Sequence, residues 1–205
     1  MSMGRMITRA TRIGLLLTLA ATAASAANLL TNGTFETGDL TGWTTPGSGP
    51  LATITVVADN GPTAPGSHAA FLSNQSGAPL ALLLKQSTPA ASAAAGPVYY
   101  SYDLKLGQAG AGGVFFVEIF AEKAGGGVIG TSGVLGNYTP GTWTNYSGTF
   151  TAPAGTDFLT IQLEANTGAV IGSNSSMYAD NVSLSQSLAT PAHQNTWGQL
   201  KNLYR

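Results

Sequence analysis

Short runs of β-branched, aromatic and leucine residues recur along the chain, and glycine, proline and asparagine separate them. Runs of this length and spacing, with no helical period between them, predict an antiparallel sandwich or barrel rather than a fold of parallel strands and helices. Nine strands are expected, at residues 51–58, 69–73, 80–86, 98–106, 114–122, 128–135, 142–151, 158–165 and 177–184.

Strict alternation divides three of these strands into a core face and an outer face. In residues 159–165 (LTIQLEA) the odd positions are apolar and the even positions are polar. Residues 99–106 and 115–122 alternate in the same way. We therefore expect an outer face that carries Tyr99, Phe116, Glu118, Phe120, Gln162 and Glu164.

Aromatic, carboxylate and amide side chains on a sheet face suit sugar binding. An aromatic ring covers the apolar C–H face of a pyranose, while polar neighbours form hydrogen bonds with its hydroxyl groups. These six residues are therefore our candidates for carbohydrate contact, with solvated surface residues as the alternative interpretation. Trp43 and Trp143 are interpreted as structural.

The composition excludes several classes of protein. Without cysteine, the chain has no disulfide scaffold, thiolate zinc site or thiol nucleophile. Charged residues make up 8% of the chain, its formal net charge is −1, and no Lys/Arg cluster occurs beyond residue 12. We therefore expect no nucleic-acid partner.

The first 26 residues have the order of a secretory signal peptide. Arg5, Arg9 and Arg12 precede an apolar run over residues 13–23, and Ala-Ser-Ala follows at 24–26. The apolar run is too short to span a bilayer as a helix, and no other segment is long and apolar enough. We expect cleavage after Ala26 and a secreted protein, extracellular, on the cell surface or in the periplasm. Its net charge would be −4, from five Lys/Arg and nine Asp/Glu.

The start of the expected mature chain carries a family motif. Residues 28–43 read NLLTNGTFETGDLTGW, and three further motifs follow in order: LKQ at 84–86 with GPVYYSY at 96–102, Trp143 with GTFTAP at 148–153, and YADNVSL at 178–184. The chain thereby resembles the CenC-type carbohydrate-binding modules of bacterial secreted and surface proteins. The resemblance implies an antiparallel jelly-roll β-sandwich of the galactose-binding-like type over residues 27–186, with the first and last strands side by side.

The same resemblance implies a structural calcium ion between those two strands. Its ligands would be the carboxylates of Glu36 and Asp180 and backbone carbonyls near Gly33, a set of oxygen donors that suits Ca²⁺. In the alternative interpretation, Glu36 caps a turn and Asp180 bonds a neighbouring amide.

The sequence gives little support for catalysis. His68 and His193 are far apart and lie in no metal-binding spacing, and no G-x-S-x-G motif occurs. Glu118 and Glu164 would meet the spacing of a glycosidase pair only by chance. We expect a non-catalytic protein that binds extracellular polysaccharide or glycan, the alternative being a structural cell-surface or matrix protein without a small ligand.

Residues 187–205 are expected to be a linker and a C-terminal tail. Trp197, Leu200, Leu203 and Tyr204 would share one face of a short helix, and Thr196 could cap it. A helix of ten residues is unstable in water on its own. We therefore expect the tail from Trp197 to Arg205 to bind a docking or sorting partner, with packing on its own domain as the alternative.

Overall fold

The computed structural model describes residues 27–58, 60–63, 67–135 and 141–187, and the regular structure in these ranges is entirely β. The strands are β1 (Ala52–Val57), β2 (Ala69–Asn74), β3 (Leu80–Ser87), β4 (Gly96–Ala109), β5 (Gly113–Lys123), β6 (Gly127–Thr131), β7 (Thr144–Ala152), β8 (Phe158–Thr167) and β9 (Ser175–Ser185). Each overlaps one of the nine expected strands. The expected signal peptide and the tail beyond 187 lie outside the described residues.

The strands form two antiparallel sheets. One has five strands in the order β1-β2-β9-β4-β7, and the other has four in the order β3-β8-β5-β6. Between them lies one apolar core, to which the alternating inward residues of both sheets contribute; Leu104 on β4, Ile119 on β5 and Ile161 on β8 are buried there. The prediction of an antiparallel jelly-roll sandwich is confirmed.

The N-terminal segment lies beside the last strand, as expected. Leu29 N–H donates to the Leu184 carbonyl (2.7 Å), and Val182 N–H donates to the Gly33 carbonyl (2.8 Å). The pairing between β2 and β9 involves only the first half of β9, residues 175–179. The N-terminal segment therefore occupies the position next to the second half of β9 that β2 leaves open.

Several motif residues hold this arrangement together. The side chain of Gln86 accepts from Thr31 N–H (2.6 Å) and donates to the Thr31 carbonyl (2.9 Å). Asn28 Oδ1 accepts from Leu184 N–H (3.0 Å). Trp43 is buried and its indole donates to the Asn32 carbonyl (3.1 Å), which confirms its structural role.

The segment after Trp43 covers one edge of the smaller sheet. Thr44 and Lys85 exchange backbone hydrogen bonds of 2.8 and 2.9 Å, and Leu83 N–H donates to the Pro46 carbonyl (3.0 Å). Strand β3 is therefore paired on both sides. In the described residues, no helix is present that could cross a membrane.

Candidate functional site

The outer face of the five-stranded sheet carries a row of alternating residues from β4. Because Tyr102 and Leu104 point into the core, Ser101, Asp103 and Lys105 lie on the opposite face together with Tyr99. Strand β4 pairs with β7 and β9 along this length, so side chains from three adjacent strands meet there.

Asp103 lies in the middle of this row and is held by two amides. Asn145 on β7 donates to Oδ1 (2.7 Å), and Asn181 on β9 donates to Oδ2 (2.7 Å). Asn145 also donates to the hydroxyl of Ser101 (3.1 Å). The carboxylate is therefore fixed by neutral donors from both neighbouring strands, and a network satisfied in this way is rigid.

One end of the face holds a stack of aromatic rings and one ammonium group. Phe71 and Tyr178 stack with ring centroids 4.5 Å apart. The Nζ of Lys105 lies 4.4 Å from the Tyr178 centroid and 5.2 Å from that of Trp143, distances typical of cation–π interactions. It also donates to Asn60 Oδ1 (2.6 Å), and burial lowers the pKa of Lys105. We call this set the aromatic–lysine stack.

Tyr99 lies at the other end of the same face. Its ring is 48% exposed, and the residues opposite it on β7 and β9 are Thr149 and Ser185. Six residues of extended strand separate Tyr99 from Lys105, which is about 20 Å. Tyr99 is thus an exposed aromatic residue with small hydroxyl residues opposite it on both neighbouring strands, whereas Phe71 stacks on the Tyr178 ring and Lys105 Nζ lies over it.

The other five predicted ligand residues lie on the outer face of the four-stranded sheet. Phe116 is opposite Glu164, and Glu118 is opposite Gln162, on the adjacent strands β5 and β8. Phe120 lies further along β5 and is half-buried. Glu118 accepts a hydrogen bond from the Thr131 hydroxyl (2.6 Å).

Glu164 is a buried acidic residue of that second face. Gln162 and Asn166 donate to its two oxygens at 2.8 and 2.7 Å. Burial nevertheless raises the pKa of Glu164, and the charge of Glu118 raises it further. The two amides point at the carboxylate rather than at solvent, so this cluster satisfies itself.

The structure thus separates the six predicted residues into two groups. Tyr99 lies on one side of the sandwich and the other five lie on the opposite side, because β4 belongs to one sheet and β5 and β8 to the other. One ligand on one face meets either Tyr99 or the remaining five.

The three predicted calcium ligands lie where the N-terminal segment meets β9 and the start of β2. Gly33 bonds Val182 through its carbonyl. Glu36 is exposed and accepts hydrogen bonds from His68, at 2.9 Å from the backbone N–H and at 3.1 Å from Nδ1. These bonds, the backbone bond above all, lower the pKa of Glu36.

Asp180 is the buried member of this group. Its side chain is 2% exposed, and its Oδ1 accepts from Asn181 N–H (2.6 Å). Burial raises the pKa of Asp180 to about 7, and the charges of Glu36 and Asp103 add to the effect.

Asp180 is thus a desolvated carboxylate near two others, and the Gly33 carbonyl bonds Val182, two residues further along β9. Carboxylate and carbonyl oxygens are the donors that a hard cation takes. The described residues contain no group of three or more acidic or histidine side chains that could hold a metal ion by themselves. Backbone carbonyl groups would therefore have to complete the site.

The alternation of residues along the strands does not predict the aromatic–lysine stack. Phe71 and Tyr178 each occupy an outward position of a predicted strand, but they are 107 residues apart and become neighbours only because β2 pairs with β9. Trp143 was interpreted as structural, and it is half-exposed beside Lys105. The sequence pattern shows that these aromatic residues point outward, but it does not show which strands pair and so bring them together.

No protein-family model matches the chain, and no curated protein matches it. Solved structures do. TmCBM61, determined in complex with β-1,4-galactotriose, is 17% identical with a TM-score of 0.54, over 79% of this chain and 100% of that one. The CBM22-1 xylan-binding domain from Paenibacillus barcinonensis Xyn10C is 16% identical with a TM-score of 0.54, over 82% of this chain and 100% of that one.

This chain has the β-sandwich fold of carbohydrate-binding modules. The same fold also matches part of a larger protein, the enzymatically active domain of tailspike protein 4 from bacteriophage CBA120. That likeness has 16% identity and a TM-score of 0.60, and it covers 77% of this chain and 21% of the tailspike chain. The chain spans about a fifth of that protein. At these identities the likeness establishes the fold alone.

Proposed function

We propose that this is a secreted, non-catalytic protein that binds extracellular polysaccharide or glycan on the outer face of its five-stranded sheet. The observation that carries the proposal is the exposed Tyr99 ring over a surface of serine and threonine, in line with Ser101 and the amide-held Asp103. The ring would stack on a pyranose, and the polar row would bond its hydroxyl groups. The aromatic–lysine stack would close the far end of the face.

Two of the comparison structures are carbohydrate-binding modules that this chain matches over their full length, and they support this proposal. One of those was solved with a galactan trisaccharide, and another is described as xylan-binding. The enzymatically active tailspike domain extends well beyond the part that this chain matches. We infer a carbohydrate-binding module, and the N-terminal motif further supports the CenC type.

Affinity electrophoresis in gels that contain soluble xylan or β-1,4-galactan tests the proposal. We expect retardation of the wild-type protein, and about a tenfold weaker affinity for Tyr99→Ala, because losing one stacking ring costs roughly 1.4 kcal/mol. Phe120→Ala is the matched control, since it removes a half-buried ring from the opposite face.

Three outcomes would contradict the proposal. Loss of retardation in Phe120→Ala but not in Tyr99→Ala would move the site to Phe116, Glu118, Gln162 and Glu164 on the four-stranded sheet. If both variants bound with the affinity of the wild-type protein, stacking on either ring would be excluded. Absence of binding across a glycan array would favour the alternative, a structural cell-surface or matrix protein without a small ligand.

We also propose a structural calcium ion held by Asp180, Glu36 and the Gly33 carbonyl. The buried carboxylate of Asp180 and its repulsion by Glu36 support it, because a cation would offset the cost of desolvating Asp180. The ion would link the N-terminal segment to β9, so its binding free energy would add to the stability of the fold.

Thermal unfolding with and without calcium tests this site. At about one hundred times the Kd, we expect a stabilisation of about 2.7 kcal/mol, which raises Tm by several degrees. Asp180→Asn should abolish the response to calcium, and Asp157→Asn, a control in the connection between β7 and β8, should preserve it. Identical melting curves in calcium and in chelator would exclude the ion.

A further inference from the structure

The loop between β1 and β2 reaches Lys105 on the outer face of the five-stranded sheet. Asn60 belongs to this loop, and its Oδ1 accepts a hydrogen bond of 2.6 Å from Lys105 Nζ. The C=O bond of an amide is about 1.2 Å long, so Nζ lies within about 3.8 Å of Asn60 Cγ. A nucleophile that is poised to react lies about 3–3.5 Å from its electrophile. The amine of Lys105 and the carboxamide carbon of Asn60 are therefore close to reacting distance.

Both partners are held in this position. Asn60 donates its backbone N–H to the Ser67 carbonyl (3.2 Å), which fixes the loop just before β2. Lys105 lies on β4, directly opposite Tyr178 on β9. Its Nζ lies over the rings of Tyr178 and Trp143. Two groups that the fold holds together in this way react in an intramolecular step rather than a bimolecular one.

The surroundings of Lys105 favour the neutral amine, which is the nucleophilic form. Burial lowers the pKa of Lys105, and desolvation in an apolar environment is one way in which proteins activate a lysine as a nucleophile. In the part of the chain that the structure describes, no carboxylate lies within ion-pair distance of its Nζ. A partly desolvated ammonium group without a counter-charge is unfavourable, and a reaction that removes its charge relieves this cost.

We propose that Lys105 and Asn60 form an intramolecular isopeptide bond. Lys105 first gives up a proton to water, since the side chain is partly exposed. The lone pair of Nζ then attacks Asn60 Cγ, the Nζ–Cγ bond forms, and the Cγ–Nδ2 bond breaks. One of the two remaining Nζ protons passes to Nδ2, which leaves as ammonia and takes up the proton released at the start. An ammonium group and a primary amide thus become a secondary amide and an ammonium ion.

The bond would join two parts of the fold that do not pair with each other. It would link the loop after β1 to β4, and these strands are not neighbours in the sheet. Like a disulfide, it would restrict the unfolded chain, in a protein that contains no cysteine.

Intact-mass spectrometry of the purified protein tests the bond. We expect a mass that is one ammonia below that of the unmodified sequence. Trypsin should not cleave after Lys105, because its Nζ is an amide, and residues 86–123 should be recovered joined to the peptide that ends at Lys85. Asn60→Ala and Lys105→Arg should each have the unmodified mass, and the arginine keeps the positive charge beside the rings. Lys123→Arg is the matched control, because it replaces an exposed lysine on the other sheet, and it should keep the bond.

Three results would overturn the proposal. The first is an unmodified wild-type mass with cleavage after Lys105, and this measurement does not depend on whether the variants fold. The second is a loss of ammonia that persists in Lys105→Arg, since Asn60 precedes Gly61 and its cyclisation onto the Gly61 nitrogen would also release ammonia. The third is a branched peptide that joins Lys105 to a residue other than Asn60.

Discussion

At the scale of single residues, amide side chains connect segments that are distant in the sequence. Gln86 accepts from and donates to the backbone of Thr31, and Gln186 does the same for Ala94. Each imitates the pair of bonds that a neighbouring strand would make, and each bond contributes about 0.5–1.5 kcal/mol net. In a chain without cysteine and with few charges, these neutral contacts replace disulfides and ion pairs.

Glu164 provides a prediction at this scale. Its folded-state pKa lies above its unfolded value of 4.5 because burial disfavours the charged form. The folded state therefore holds the proton more tightly, and this group's contribution to the free energy of unfolding falls as pH rises from about 4.5 through the folded pKa.

We expect Glu164→Gln to lack this fall, so that its stability relative to wild type rises between pH 4 and pH 7. Gln162 Nε2 donates to Glu164 Oε1 in the wild type, and turning this amide over would let its oxygen accept from the new side chain. Urea unfolding at several pH values measures the difference. A constant difference between the two proteins across this range would contradict the interpretation.

At the scale of strands, the alternation of residues predicted much of the structure and left one relation open. Side chains of a strand point to opposite faces in turn, so the inward positions of β4, β5 and β8 could be predicted from residue type alone. Which strands share a sheet depends on pairings between distant segments, which local pattern does not encode. That is why Tyr99 and Phe120, both correctly placed outward, lie on opposite sides.

Asp180 shows a second limit of local pattern. Alternation places it on the outer face with Tyr178, where an acid would be solvated. The register of β4 and β9 shifts near this point, Asn181 has a positive φ of 50°, and the N-terminal segment lies against the strand. Burial of Asp180 thus results from a β-bulge and a covering segment. The motif resemblance indicated the covering segment, and the alternation indicated neither feature.

At the scale of the whole molecule, closure of the sandwich depends on the N-terminal segment reaching β9. Gly33 lies so close to this strand that a Cβ built on it would be 2.0 Å from the Val182 carbonyl oxygen. Phe35 lies two residues further along the chain and is fully buried in the common core. The approach of the two backbones therefore requires the absence of a side chain at residue 33.

Gly33→Ala should force this segment away from β9. We expect a loss of about 1–3 kcal/mol in the free energy of unfolding, as for other overpacked sites. Gly49→Ala is the control, because nothing lies within 4 Å of its added Cβ. Thermal melting of both variants measures the effect, and equal Tm values would contradict the proposed role of Gly33.

The face between Tyr99 and Lys105 exposes mostly hydroxyl and amide groups, and two amides already hold the carboxylate of Asp103. Dissolved ions screen interactions between exposed charges but hardly affect hydrogen bonds between neutral groups or ring stacking. Contacts made through this surface would therefore keep their strength from fresh water to brine. For the secreted protein that we propose, whose surroundings no cell regulates, that is an advantage over binding through charge.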